Sequence, residues 1–399
     1  MRVRRCLALV LGALAACSTA GEGEHSAGTA GEDVDAGHAR EDAGSEKDPV
    51  PIAIPFGDDP EVLTVPLATA LPLGRDDVLA LSEGDAIDMS SGAVVSDDGS
   101  VIVAFDRSDV ALSSSTILVS HSRNGVDFSV PKQIPIGAQE PGTEEPAIVA
   151  NPSLVRTSGT FFYYTTTSAI DAEASLFRRA LSPKGLGPPE LLPALSQGSW
   201  LLSWPKFHGR TDGNVGVAYR TTRGVATYGL SEDDASFSTH PVSGTDPAAM
   251  AHAAELGDGS RAFSYQQGPM TEMVSYVTTS KDGITWTERQ VVADATNVHD
   301  TSMCRRADGG LDLYYIYPTF ELGFARGFRL FRRALHPDGR LGPEQRITSA
   351  ELGEPSKPSA LRLSNGHVLV SYAQIAVRGS DGAPAVQRIV LALLPGDAP

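Results

Sequence analysis

A short phrase recurs six times along this chain, and its spacing constrains the fold more than any single residue does. Each copy is a polar turn that contains a glycine, followed by an apolar segment with an aromatic residue near its end. The turn glycines are Gly99, Gly159, Gly213, Gly259, Gly309 and Gly366, which are 60, 54, 46, 50 and 57 residues apart. Repeats of this length that are built from turns and strands are typical of β-propellers. The sequence therefore predicts an all-β, six-bladed β-propeller, with five or seven blades as the alternative counts.

The two ends of the folded region are predicted to meet in one blade. Only one apolar segment, 388–395, follows the last repeat, so that blade lacks an outer strand. An unpartnered apolar segment, 61–71, precedes the first repeat. Because an open sheet edge invites pairing with other chains, we expect this N-terminal strand to close the ring by completing the last blade. The propeller domain is assigned to residues 56–399.

The first 17 residues have the features of a signal peptide. Arg2, Arg4 and Arg5 precede an apolar core that is too short for a permanent membrane-spanning helix. The core ends in Leu-Ala-Ala-Cys17, which resembles a bacterial lipobox. The resemblance implies cleavage before Cys17, its lipidation and a stable membrane anchor; the alternative is an ordinary secretory signal with a chance cysteine. Ser18, in place of an aspartate, implies an outer-membrane lipoprotein that faces the periplasm or the cell surface.

Residues 18–55 are predicted to be a disordered acidic tether. They are rich in Gly, Ala, Ser, Asp and Glu and have almost no large apolar side chains, so they cannot bury enough surface to fold. The whole chain has a formal net charge of −17, which argues against nucleic acid and anionic lipid as partners. We expect a monomer that contacts the membrane only through its lipid anchor and binds a glycan or a cell-surface protein.

Cysteine usage excludes two classes of site. Of the three cysteines, Cys6 lies in the signal peptide and Cys17 in the lipobox, which leaves Cys304 alone. The sequence has no CxxC pair and no His/Cys cluster with zinc spacing, so we expect neither a disulfide framework nor a metal site, and no other cofactor. A lone cysteine in an apolar strand is more often a small core residue than a nucleophile, and Cys304 is assigned to the core.

A turn after the fourth repeat carries a family resemblance. Residues 280–286 (SKDGITW) resemble the Asp box, or BNR repeat, of sialidase-type propellers, and 122–128 and 231–237 look like degenerate copies. In such a turn an acidic side chain caps the backbone, glycine takes a positive φ, and the aromatic ring packs under the hairpin. The resemblance implies a sialidase-like propeller in which this turn is structural and lies far from the active face. The residues assigned to it are Ser280, Asp282, Gly283 and Trp286.

The same resemblance places an acidic residue where the family has an arginine. Sialidases hold the substrate carboxylate with three arginines, and the first lies eleven residues before the turn glycine of the first blade. The residue eleven positions before Gly99 is Asp88. A carboxylate there repels a sialate carboxylate, whereas arginine forms paired hydrogen bonds with one. We therefore do not expect the arginine triad, or classical sialidase activity, to be retained.

The ligand face of a propeller is formed by the starts of its innermost strands and the loops before them. Glycosidases need two carboxylates across a sugar ring, and the catalytic candidates from three different blades are Asp88, Glu145 and Asp300. The substrate-binding candidates are Trp200, Trp204, His299 and Lys357. Tryptophan rings can stack on a sugar, and a lysine can orient a hydroxyl or neutralise a carboxylate. The alternatives are that the acids bind loop amides, that the tryptophans fill the axis as core, and that the lysine is an ordinary surface residue.

Three classes of function fit this sequence. The first is a glycoside hydrolase that uses a carboxylate pair, and the second is a non-catalytic propeller that binds a glycan or a protein at the cell surface. The third is a scaffold for protein–protein interaction at the outer membrane, with no small-molecule site. Because propellers host many functions, the fold does not decide between them. We expect a sialidase-like lipoprotein that is carbohydrate-active or glycan-binding, and the sequence leaves open whether it is an enzyme.

Overall fold

A computed structural model describes residues 62–82, 84, 86–109, 114–136, 148–167, 174–182, 185–192, 195, 205–221, 224–231, 236–242, 248–269, 272–321, 325–378 and 384–396. Within these ranges the regular structure consists of β-strands and two 3₁₀ turns, Arg75–Asp77 and Ala350–Leu352. No helix in the described part of the chain is long and apolar enough to span a membrane. The predicted signal peptide, Cys17 and the predicted tether lie outside the described residues.

Antiparallel meanders follow one another along the chain, after two N-terminal strands. The N-terminal strands are β1 (Val62–Thr64) and β2 (Val78–Ala80). The first meander contains β3 (Ile87–Val95), β4 (Val101–Ser108), β5 (Ser115–Ser122) and β7 (Lys132–Ile134), and β6 (Asp127–Ser129) lies in the connection from β5 to β7. The second contains β8 (Ile148–Arg156), β9 (Thr160–Thr167), β10 (Ser175–Ser182), β11 (Gly185–Leu186) and β12 (Glu190–Leu191). The third contains β13 (Lys206–Gly209), β14 (Val215–Arg220), β15 (Ala226–Ser231) and β16 (Phe237–Pro241).

Three further meanders complete the described fold. The fourth contains β17 (Ala248–Glu255), β18 (Arg261–Gln267), β19 (Val274–Ser280) and β20 (Gln290–Val291). The fifth contains β21 (His299–Arg305), β22 (Leu311–Glu321), β23 (Ala325–Leu335) and β24 (Leu341–Arg346). The sixth contains β25 (Glu354–Arg362), β26 (Val368–Arg378) and β27 (Pro384–Leu394). The first strand of each meander contacts the first strand of the next, and β25 contacts β3, so the meanders are the blades of a closed ring. The predicted β-propeller is confirmed.

The alternation of apolar side chains explains why the blades stack. In β4, Val101, Val103 and Phe105 belong to a cluster shared with the sixth blade, whereas Ile102 and Ala104 belong to one shared with the second. Successive residues of a strand point to opposite faces of its sheet. A strand whose blade is packed between two neighbouring blades is therefore apolar on both faces. Each of the other four blade interfaces has a cluster of the same kind. The runs of apolar residues in the repeats therefore supply the side chains that pack on both faces of each blade.

The N-terminal segment closes the ring, as predicted, but through a different strand. The strand that adds to the last blade is β2, which pairs with β27, and not a strand within 61–71. The earlier segment instead joins two blades. Its β1 pairs with β6 of the first blade, and Leu67 forms a parallel bridge to Leu393 in the sixth. Residues 65–77, which end in the 3₁₀ turn, separate the two strands, and each strand pairs with a different blade.

The turn compared above with the Asp box is held by its own side chains. The Ser280 hydroxyl donates to Asp282 at 2.9 Å and accepts from the Gly283 amide at 2.8 Å. One Asp282 oxygen accepts from the amides of Thr285 and Ile284 at 2.7 and 2.8 Å. These bonds, the one from Thr285 first, hold the pKa of Asp282 well below its usual range. Gly283 has a φ of 77°, which an L side chain rarely adopts.

The aromatic residue of the same turn packs between two blades. The Trp286 ring lies edge-on to Tyr228 of the third blade and Phe263 of the fourth, with centroids 5.6 and 5.3 Å apart. The copy in the first blade has the same bonds, with Asn124 in place of the aspartate and Ser122 accepting from the glycine amide. Most of the third copy, 232–235, lies outside the described residues. These turns tie the outer hairpins to the body of the ring.

Candidate functional site

The inner strands share an irregularity near their starts, at one mouth of the central axis. In five of them the pairing with the second strand shifts register: between Met89 and Ser91, Ala150 and Ser153, Ala249 and Ala251, His299 and Ser302, and Ser356 and Ser359. Four non-glycine residues at these bulges have a positive φ: Asn151 (55°), Met250 (29°), Asp300 (50°) and Lys357 (48°). Such conformations cost about 1–3 kcal/mol each and cluster at functional sites. We define this ring of bulges as the axial mouth.

The four positive-φ residues line one small cavity. Its other lining residues are Lys206, Ala251, Thr301 and Pro358, so it draws on five blades. The cavity has a volume of about 40 Å³. Pockets that enclose a small organic ligand have volumes of about 300–1,000 Å³, so the described residues leave room here only for water. A larger ligand would lie across the mouth and contact it from outside.

The structure brings together two of the predicted site residues, Asp300 and Lys357. Asp300 Oδ2 accepts a hydrogen bond from the Lys357 backbone amide at 3.0 Å, which joins the fifth and sixth blades. The Lys357 Nζ lies 3.7 Å from the Sδ of Met89 in the first blade, so its side chain contacts the neighbouring blade. A carboxylate and an ammonium group are thus both present at the axis, on partly buried side chains.

Asp88 is held by an arginine of its own blade. Its two carboxylate oxygens accept hydrogen bonds from Nε and one terminal nitrogen of Arg107, at 2.6 and 2.9 Å. The residue is 1% exposed and is not among those that line the mouth cavity. Paired hydrogen bonds of this kind occupy both oxygens. No arginine is among the described residues that line the cavity.

The other predicted site residues lie away from the cavity or outside the described chain. His299 has its Nε2 hydrogen-bonded to the Asn297 side chain and its ring edge-on to Phe328, 5.7 Å away. Burial lowers the pKa of His299, and the nearby Asp300 opposes this shift. Its side chain therefore packs within the fifth blade. The predicted residues that lie outside the described part are Glu145, Trp200 and Trp204.

Two charged residues that the sequence did not single out lie close to the mouth. Asp106 is 1% exposed, and one of its oxygens has no hydrogen-bond partner among the described residues. Burial raises the pKa of Asp106 to about 6, although Lys357 opposes this. Burial and the Lys357 charge lower the pKa of Lys206 to about 8, while Asp106 and Asp300 oppose that change. For Asp106 the available signal was a charged residue directly after the apolar run Val101–Phe105 in one strand.

A second cavity continues along the axis inside the ring. It has a volume of about 170 Å³ and is lined by residues of all six inner strands. We call it the axial channel. Its polar lining side chains are Ser91, Ser153, Lys206, His208, His252, Ser302 and Ser359. Burial lowers the pKa of His208 to about 4 and that of His252 to about 3, so both rings are neutral at pH 7.

No group of three His, Cys, Asp or Glu side chains in the described ranges is arranged to hold a metal ion. Cys304 is 5% exposed, and burial raises the pKa of its thiol to about 12. A thiol in this environment is not ionised at pH 7 and is a poor nucleophile. The polar groups that the described chain brings to the axis include the Asp300 carboxylate, the ammonium groups of Lys206 and Lys357, and serine and threonine hydroxyls.

No protein-family model matches this sequence, and no curated protein matches it with significance. Solved structures do match. A protein of unknown function from Dyadobacter fermentans is 16% identical, with a TM-score of 0.62 over 85% of this chain and 99% of that one. The intramolecular trans-sialidase from Ruminococcus gnavus is 11% identical, with a TM-score of 0.55 over 80% of this chain and 97% of that one. An α-L-arabinofuranosidase from Fusarium graminearum is 12% identical, with a TM-score of 0.55 over 79% and 94%. At these identities the likeness concerns the fold, and the chain has the sialidase-like β-propeller fold that its sequence predicted.

Proposed function

We propose that this protein is a carbohydrate-binding propeller that holds a glycan across its axial mouth. The observation that carries the proposal is the convergence of four strained, non-glycine residues from four blades on one cavity. Among them, Asp300 supplies acceptors, Lys357 supplies donors, and Asn151 supplies both. Sugar hydroxyls need this mixture of donors and acceptors. Two proteins with the same fold are named as a trans-sialidase and an arabinofuranosidase, which supports a sugar as the ligand.

We propose binding, rather than hydrolysis, as the primary activity of this site. Hydrolysis requires two carboxylates that flank the scissile bond. Among the described residues, Asp300 is the one carboxylate that lines the cavity. Arg107 occupies both oxygens of Asp88, and Asp106 is almost fully buried. Met250 contributes a thioether to the lining, which offers apolar contact and no acid–base chemistry. A glycan that lies over this surface would be held without being cut.

A glycan array on the mature protein tests this proposal. We expect Asp300→Asn and Lys357→Met each to weaken the binding of any glycan by about tenfold or more, because a hydrogen bond to a charged group contributes about 1.5–3 kcal/mol. Lys281→Met is the matched control, since Lys281 is an exposed lysine in the outer turn of the fourth blade. Equal binding by all variants, or no bound glycan at all, would contradict the proposal and favour a scaffold. Cleavage of a bound glycan that is lost in Asp300→Asn would instead establish a hydrolase.

We also propose that the protein is an outer-membrane lipoprotein anchored through Cys17. The lipobox-like sequence and the acidic stretch after it support this proposal. In a bacterial host, the wild-type chain is expected to incorporate radiolabelled palmitate and to fractionate with outer membranes. Cys17→Ala is expected to lose both properties, while Cys6→Ala keeps them. Mass spectrometry that finds an unacylated N-terminus at another residue would contradict the anchor.

A further inference from the structure

We propose that the axial channel is a binding site for a small inorganic oxyanion such as phosphate or sulfate, distinct from the glycan surface at the mouth. The channel volume of about 170 Å³ is several times the roughly 30 Å³ that one water molecule occupies in the liquid. It therefore has room for a tetrahedral anion together with a few water molecules. Lys206 and Pro358 line both the channel and the mouth cavity, so the two spaces adjoin.

The charge of the channel wall favours an anion. Lys206 is the one charged residue among the described residues that line it, and no carboxylate does so. No carboxylate in the described ranges lies within ion-pair distance of the Lys206 ammonium, and the side chain has no hydrogen bond there either. Lys206 is half-buried, and the carboxylates of Asp106 and Asp300 act on its charge only from beyond ion-pair distance, so burial of the ammonium group is only partly compensated. An oxyanion beside it supplies an opposite charge at hydrogen-bond distance, whereas a cation would be repelled.

The channel also offers neutral donors. His252 Nδ1 is buried and has no hydrogen-bond partner among the described residues. A neutral ring that carries its proton on this nitrogen therefore has an N–H group available to a ligand. The Ser153 hydroxyl accepts from the Phe207 amide at 3.3 Å, which leaves its own proton available to a ligand. The Ser302 hydroxyl lines the same space from the fifth blade. An oxyanion has several acceptor oxygens and can bind donors from three blades together with the lysine.

His208 is excluded from this set by its own hydrogen bonds. Its Nε2 lies 3.1 Å from the Tyr228 hydroxyl and its Nδ1 lies 3.3 Å from the Gly209 carbonyl oxygen. A neutral ring that donates through Nδ1 and accepts through Nε2 satisfies both contacts. The donors proposed for the anion are therefore Lys206, His252, Ser153 and Ser302.

Calorimetric titration of the mature protein at pH 7 with sodium phosphate and with sodium sulfate tests the site. We expect saturable binding of both, with about one anion per chain, and no heat from sodium chloride at matched ionic strength. Lys206→Met keeps the length of the side chain and removes the charge, and it is expected to weaken binding at least tenfold. Lys281→Met is expected to bind as the wild type does.

A second variant separates this site from the mouth. His252 lines the channel but not the mouth cavity, so His252→Leu is expected to weaken oxyanion binding about fivefold or more and to leave glycan binding unchanged. Circular dichroism and cooperative thermal unfolding confirm that each variant is folded. Undiminished binding in a folded Lys206→Met protein, or equal heats from chloride, would overturn the proposal. Sulfate stabilises many proteins by exclusion from their surface, so a rise in melting temperature alone does not count as binding.

Discussion

Removal of residues 1–82 is expected to leave a propeller that does not fold stably, whereas removal of residues 1–55 is expected to leave its stability unchanged. The segment 62–82 buries Val65, Leu73 and Leu81, which are 1%, 0% and 2% exposed. Each such side chain contributes about 1.5–3 kcal/mol, and together about 5–9 kcal/mol. Folded domains are stable by only about 5–15 kcal/mol in total, so this loss is comparable to the whole free energy of unfolding.

The hydrogen bonds of the same segment show why it acts on the whole ring. Its amides donate to carbonyl oxygens of three blades: Val65 to Val126 at 2.9 Å, Ala68 to Leu393 at 2.9 Å, and Leu73 to Ile347 at 2.7 Å. Without the segment, the part of β27 that pairs with β2 has an open edge. The first and last blades also lose the residues that pair with both of them. An open edge also favours aggregation. We therefore expect the truncated chain to aggregate when it is expressed.

Single substitutions give a milder form of this experiment. Leu73→Ala is expected to lower the free energy of unfolding by about 2–5 kcal/mol, as is typical of a fully buried leucine. Leu67 in the same segment is 46% exposed, and Leu67→Ala is expected to change the free energy of unfolding by about 0.5 kcal/mol or less. Urea unfolding followed by circular dichroism measures both. A chain of residues 83–399 that unfolds cooperatively at the wild-type urea concentration would show that the ring does not need this segment.

The repeats carried enough information to predict the architecture, but not the strand that closes it. The turn glycines Gly99, Gly213, Gly259, Gly309 and Gly366 have φ values of 82–88° in equivalent turns. Their positions in the sequence therefore mark the blades. The closing strand β2 has three residues and only partial burial, which gives it no periodic signal. The segment 61–71 looked more like a strand because it is more apolar. Which of the two pairs with β27 depends on the path of the chain around the ring, and local sequence does not encode that path.

The candidate site was only partly predictable because bulges decide which side chains reach the axis. Asp300 and Lys357 were predicted from their distance to the turn glycines, and they do meet at the mouth. The register of β3 against β4 places Asp88 opposite Arg107, and one position further on it places Met89 opposite Asp106. A shift of one residue in such a pairing exchanges the faces of a strand. A count along the sequence cannot see this shift, so the Asp88–Arg107 pair became visible only in the structure.

Replacement of Arg107 by methionine is expected to lower the free energy of unfolding by about 3 kcal/mol, the lower end of the range for breaking a buried ion pair. The loss arises because the Asp88 carboxylate, 2% exposed, would be left buried with neither of its two short hydrogen bonds. The reverse substitution, Asp88→Asn, is expected to cost less. The Arg107 side chain is 29% exposed, so its guanidinium can turn toward water when its partner becomes neutral.

This asymmetry distinguishes a structural pair from a catalytic carboxylate at Asp88. In a double-mutant cycle measured by urea unfolding, Asp88→Asn combined with Arg107→Met should recover most of the stability that Arg107→Met loses, because no buried charge then remains unpaired. A nucleophile or general acid would behave differently, since Asp88→Asn would abolish any glycan turnover and barely change the unfolding midpoint. Equal and additive losses from the two single substitutions would mean that the pair is not coupled and that Asp88 has another role at the edge of the mouth.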